Sequence, residues 1–146
     1  ISFMEKSELI NVLKPFGGSE TRIWKNKKAL FMSPSLRLSL LSLIYGENIP
    51  EHLSSKLYED LVVMYLKKTI GPHSILYAKT NGSHVPDFII ETVDKPILIE
   101  VGIGKNKINQ LKNIDSRYGI LINNRLESIE IENNTIKIPL KVFLLL

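Results

Sequence analysis

A long helical stretch followed by strand-like runs constrains this chain more than any other feature. Between Pro50 and Thr69, the residues Leu53, Leu57, Leu61, Met64 and Tyr65 recur at helical spacing, and Gly71-Pro72 closes the segment. That spacing predicts an amphipathic helix that turns those five side chains toward a sheet. Runs rich in β-branched and aromatic residues follow at Ser74 to Ala78, Val85 to Glu91 and Pro96 to Val101. A second helix over about Asn106 to Asn113 then precedes a strand at Gly119 to Asn123. Helix, strands, helix and strand in that order predict an α/β fold with a central mixed sheet flanked by helices. Glu127 to Ile131 and Thr135 to Ile138 flank Asn133-Asn134 as a closing hairpin.

Upstream, Ile1 to Ile10 reads as the end of a helix. Asn11 to Pro15 and Thr21 to Trp24 are short extended runs joined through Gly17-Gly18. A helix followed by a small hairpin has the outline of a winged-helix tail, so residues 1–32 are expected to form a winged-helix remnant and 33–146 the α/β domain. Lys28 to Met32 could be a third strand, and Ser33-Pro34 places a cap and a first-turn proline at the start of a helix through about Tyr45, ended by Gly46.

The 146 residues, 44% of them hydrophobic, suffice for one domain with a core and a small appendage. With no cysteine, thiolate metal sites, disulfides and cysteine nucleophiles are excluded, which suits a reducing cytoplasm. Nineteen Lys and Arg against 15 Asp and Glu give a net charge of +4, which favours polyanionic partners without requiring one. Runs such as Leu38 to Tyr45 and Val142 to Leu146 fall short of the roughly 18–20 apolar residues that a membrane span needs. The chain opens on Ile1 with no signal-peptide pattern and reads as a fragment of something longer.

Two acids stand inside strand-like runs, Asp87 in the segment from His84 to Ile90 and Glu100 in the segment from Ile97 to Gly102, linked by an Asp94-Lys95-Pro96 turn. Paired as a hairpin, they could share one cation. Residues two apart on a strand point the same way, so position 102 flanks that cation beside Glu100, and position 102 is glycine. Asp87 and Glu100 are therefore either a divalent-metal pair supported by Glu59 from the long helix, or a polar remnant that hydrogen-bonds loop backbone and Lys105 or Lys107. The absence of a lysine at 102 weighs toward the second. His84 could orient a phosphate or ligate a metal, but a lone histidine three residues before an acid is more often a turn residue, and His52 and His73, each beside a helix boundary, read the same way. Cations gather in two groups: Arg22, Lys25, Lys27 and Lys28 near the expected wing, and Lys105, Lys107 and Lys112 beside the acids. Either group could contact DNA or RNA phosphates or form a solvated face, and Trp24 could stack on a base or pack under the hairpin. Gly102-Ile103-Gly104-Lys105 does not extend to a phosphate-binding loop of the G-x-x-x-x-G-K-[ST] kind.

From Lys28 onward the chain resembles a domain of unknown function that follows the ATPase module in many bacterial and archaeal AAA-type ATPases. That domain is similar in fold to the PD-(D/E)xK nucleases. The matching residues are Ala29 to Arg37, where the family has a strand running into D-P-G-L-R, and Leu57 to Val62, where it has F-E-x-x-V. Pro86-Asp87-Phe88 corresponds to V-D-F and Ile99 to Gly102 to I-E-V-K. The resemblance covers most of the chain and rests on the order and spacing of these motifs. It implies a restriction-endonuclease-like core, a parent ATPase whose ATP site lies on an N-terminal module, and a degenerate nuclease site. In active members two carboxylates hold Mg²⁺ while the lysine positions the attacking water and stabilises charge on the phosphate. Here Ser33 replaces the first motif's aspartate and Gly102 the lysine. The resemblance thus predicts a non-cleaving module that binds nucleic acid or a protein partner. The rivals are a Mg²⁺-dependent endonuclease using Asp87, Glu100 and a relocated Lys105, and an antitoxin-like interaction module.

Overall fold

A computed structural model describes residues 2–17, 27–71, 74–77, 85–102, 111 and 114–146. The chain forms two compact units, Ile1–Leu13 with Lys27–Pro72, and Lys14–Asn26 with His73–Leu146. These units cut across the division expected at residue 32.

The first unit contains α1 (Ser2–Lys6), most of β1 (Ile10–Pro15), β2 (Lys28–Phe31), α2 (Pro34–Tyr45) and α3 (Glu51–Ile70). β1 runs antiparallel to β2, from Ile10 opposite Phe31 to Leu13 opposite Lys28. The partner expected for β1, Thr21 to Trp24, lies outside the described residues, and the pairing goes to the strand read as a third one. α2 forms where local signals place it. Ser33 Oγ accepts the Leu36 N–H at 3.3 Å, Pro34 occupies the first turn, and Gly46, at φ 61°, ends the helix with its N–H on Ser42 O. α3 carries Glu51 in its first turn and Lys67 and Lys68 in its last, the arrangement that the helix dipole favours.

The face that α3 buries differs from the expected one. Glu59, Val62, Val63 and Leu66, at i, i+3, i+4 and i+7, form the buried stripe, while Leu53, Leu57, Leu61, Met64 and Tyr65 are only half-buried. Apolar side chains lie on both sides of this helix, so periodicity alone could not choose between them. The choice falls on the side where Glu59 and Asp60 find cationic partners.

The second unit is a mixed sheet. β3 (Ile75–Tyr77), β4 (Phe88–Ile90) and β5 (Ile97–Gly102) pair antiparallel in turn, and the end of β1, Lys14 and Pro15, runs parallel to β3. β5 is parallel to β6 (Tyr118–Asn123), which is parallel to β8 (Thr135–Pro139), and β7 (Glu130–Glu132) closes antiparallel on β8. The turn between β7 and β8 holds Asn133 at φ 53°, a conformation that asparagine tolerates. A short helix, α4 (Leu140–Phe143), follows where the sequence had suggested none. The helix expected over about Asn106 to Asn113 lies outside the described residues apart from Leu111, which is buried against Ile89, Leu98 and Leu121. Among the described residues, no helix is long and apolar enough to cross a membrane.

Candidate functional site

The β4–β5 ladder pairs Phe88 with Ile99 and Ile89 with Leu98 and ends there. Asp87 stands just before β4 and reaches β5 at Val101, the residue after Glu100. Glu100 lies on the β5 face that bears Leu98. Parallel pairing extends this face across the sheet: Glu100 lies beside Leu121, and Gly102 beside Asn123. At the carboxyl ends of β5 and β6, therefore, Glu100, Gly102 and Asn123 occupy neighbouring positions on one face. Carboxyl ends of parallel strands are where α/β sheets commonly bind ligands.

Each member has a distinct environment. Glu100 is buried at 6% exposure and Asp87 is half-buried. Asp87 Oδ2 accepts the Val101 N–H at 2.9 Å, which satisfies a β5 donor just where the β4 ladder ends. Asn123 is buried at 1%, and its Oδ1 accepts the Arg125 N–H at 2.8 Å, turning the chain as it leaves β6. Asn123 was not singled out from sequence; the signal was a polar residue ending the apolar run from Ile120 to Ile122. Gly102 is buried and brings no side chain to the face. The oxygen donors of Asp87 and Glu100 suit a hard cation such as Mg²⁺ in kind. Among the described residues, however, no group of three His, Asp or Glu is placed to hold a metal ion.

Glu59 sits in the first unit, in a cage of lysines. Lys28 Nζ lies 2.7 Å from Oε2, and Lys56 bonds Oε1 from one turn earlier on α3. Burial raises the Glu59 carboxyl, but the ammonium groups of Lys28 and Lys56 more than offset this and hold it below its ordinary value. Lys28, expected as a phosphate contact, is thus committed to an internal ion pair. Lys27 is exposed. Arg22, Lys25, Lys105, Lys107 and Lys112, with His73, His84 and Trp24, lie outside the described residues. His52 is exposed at the start of α3.

Asp60, the neighbour of Glu59, went unremarked in the sequence and is the most enclosed acid of the first unit, with no exposed surface. Its carboxylate accepts from Arg37 Nε and, at 2.9 Å, from Arg37 Nη2, and also takes the Phe31 N–H at 2.9 Å. Arg37 also lies over the Phe31 ring at 4.8 Å. Asp60 thereby links α3, α2 and β2 within one unit. In the second unit, Lys137 is nearly buried between Glu130 and Glu132 at the β7–β8 edge, and these carboxylates, Glu132 foremost, raise its ammonium above the ordinary value.

No protein-family model matches the chain, and no solved structure matches it. Among curated proteins, the chain is similar to the uncharacterized protein MJ1637 of Methanocaldococcus jannaschii, at 31% identity over 154 aligned positions. The alignment covers 100% of this chain and 31% of that protein, so the chain spans about a third of its relative's length.

Proposed function

We propose that this chain is a nuclease-like module, of restriction-endonuclease type, that binds a partner without cleaving nucleic acid. Its parent in this reading is a cytoplasmic AAA-type ATPase whose ATP site lies on another module. One observation carries the reading: the Asp87 carboxylate bonds the backbone of Val101, directly beside Glu100, and the position two residues beyond Glu100 on its strand face is Gly102. Glycine at that position brings no ammonium that would position water and neutralise charge developing on a phosphate. Similarity to a third of a longer archaeal protein agrees with a module inside a larger chain.

A protein partner is favoured over nucleic acid by α2, which has no buried residue and exposes Leu43 and Ile44 at 83% and 71%. The nucleic-acid reading rests on Lys27 and on cations outside the described residues, because Lys28 is paired with Glu59. The test is cleavage of single-stranded and duplex DNA and of RNA in Mg²⁺ or Mn²⁺. The expected result is no cleavage by the native chain and a gain in Gly102→Lys, which restores a lysine beside Glu100. Native cleavage that both Asp87→Ala and Glu100→Ala abolish would overturn the reading in favour of a Mg²⁺-dependent endonuclease.

A further inference from the structure

We propose that the first unit carries a site for a mononucleotide, in a cleft of about 540 Å³ lined by Glu8, Met32, Met64, Tyr65, Lys67 and Lys68. Small-molecule sites typically enclose about 300–1,000 Å³. Met64, Lys67 and Lys68 stand three and four residues apart on α3, so the helix stacks them on one face, and Tyr65 lies one turn before Lys68. Met32 follows β2, and its N–H donates to Leu9 O at 3.0 Å, which ties it to the turn that contains Glu8. Glu8 itself is held at φ 55°, a left-handed conformation that non-glycine residues rarely adopt. Backbone bonds brace it there, from Glu8 N–H to Glu5 O at 3.1 Å and from Leu9 N–H to Met4 O at 2.9 Å.

The side chains select the ligand class. A phenol ring and two polarisable thioethers offer surfaces to a flat aromatic body. Two adjacent ammonium groups offer charge to a phosphate. The Glu8 carboxylate accepts hydrogen bonds and therefore wants a ligand with donors. A fatty acid would use the apolar wall and the lysines but would leave Glu8 facing a like charge or a hydrocarbon. A nucleotide uses all three features, with its base on the wall, its phosphate at Lys67 and Lys68, and a base amino or ribose hydroxyl on Glu8. The carbonyl end of α3 disfavours an anion, but Lys67 O is already capped by the Gly71 N–H at 3.1 Å, and two full charges outweigh the remaining partial ones. None of Asp87, Glu100 or Gly102 takes part, so this site and the nuclease-like reading stand or fall separately.

The test is titration of the 146-residue chain with AMP, adenosine and inorganic phosphate, read by calorimetry and by methionine methyl resonances. AMP is expected to bind at least about tenfold more tightly than adenosine or phosphate, as charge-assisted contacts added to stacking require. AMP should shift the methyls of Met32 and Met64 and leave Met4 in place. Lys67→Gln with Lys68→Gln should reduce AMP affinity to the level of adenosine and leave adenosine unchanged. No AMP binding at millimolar concentration, shifts that spare Met32 and Met64, or AMP affinity indifferent to the double substitution would each overturn the proposal. The methyl readout decides the matter on the native chain should the double variant fold poorly.

Discussion

Two consecutive buried acids, Glu59 and Asp60, are kept on α3 because each has cations of its own, and the two respond to pH in opposite directions. Burial raises the Asp60 carboxyl and outweighs the lowering by Arg37 and the Phe31 N–H, so its value is raised while that of Glu59 is lowered. A carboxylate held low contributes stability above its unfolded value and loses it as pH falls through the folded one. One held high contributes stability that is present below its unfolded value and lost as pH rises through the folded one. Glu59→Gln should therefore cost about 1–3 kcal/mol near neutral pH, the worth of a buried charged hydrogen bond. Its deficit against the native chain should shrink near pH 3; a deficit equal at both pH values in urea unfolding would refute the assignment. Arg37→Ala strands the Asp60 carboxylate and is expected to cost about 3–5 kcal/mol in the same measurement. Ser33 and Pro34 were legible as a helix start because capping is decided within a few residues. Asp60 was not, because its partners Arg37 and Phe31 lie 23 and 29 residues away.

At the scale of elements, the strands at Ile75–Tyr77, Phe88–Ile90, Ile97–Gly102 and Tyr118–Asn123 were legible from crowded β-branched residues, while the run expected at Glu127 to Ile131 is a strand only at Glu130–Glu132. The short Asp94-Lys95-Pro96 connection was a legible sign of the antiparallel β4–β5 pairing. The long helix was legible in extent but not in facing, since which side packs, here Glu59, Val62, Val63 and Leu66, is decided by contacts with other elements, the Lys28–Glu59 ion pair among them. This facing predicts that Leu66→Ala costs about 2–5 kcal/mol as a buried large-to-small change. Leu43→Glu with Ile44→Glu on α2 should leave stability within about 0.5 kcal/mol, since both side chains already meet solvent. Chemical denaturation of the two variants compares them directly, and equal losses would mean that α2 is packed in solution. β6 holds a second element-scale constraint. A Cβ on Gly119 would lie 2.8 Å from Leu111 Cδ1 and 3.2 Å from Leu111 Cβ. Gly119→Ala should therefore push Leu111 off the sheet, at about 1–3 kcal/mol of overpacking, visible as a lowered thermal midpoint. Sequence alone could not reveal this approach, because a glycine in a strand has several causes.

For the whole molecule, the net charge of +4 is a weaker argument for nucleic acid than it first looks, because cations are drawn inward. Lys28 and Lys56 serve Glu59, Arg37 serves Asp60, and Lys137 serves Glu130 and Glu132. Composition counts these side chains as available to phosphates, whereas the fold uses them to neutralise its own acids. The strand position of Glu100 and the same-face position of Gly102, by contrast, were legible because strand periodicity is strict and position 102 follows from Glu100 by counting two. These placements separate two adjacent lysines that the sequence treated alike. Lys27→Ala should weaken binding of a short DNA at about 50 mM salt and flatten the salt dependence by about one phosphate contact, a change near 0.9 in the log–log slope. Lys28→Ala should leave that affinity unchanged and lower stability instead, since it removes one of the two ion-pair partners of a buried carboxylate. Fluorescence anisotropy paired with urea unfolding reads both quantities on the same samples. If Lys28→Ala lost DNA affinity without losing stability, the ion pair with Glu59 would be incidental, and the basic face read from the sequence would regain its claim to nucleic acid.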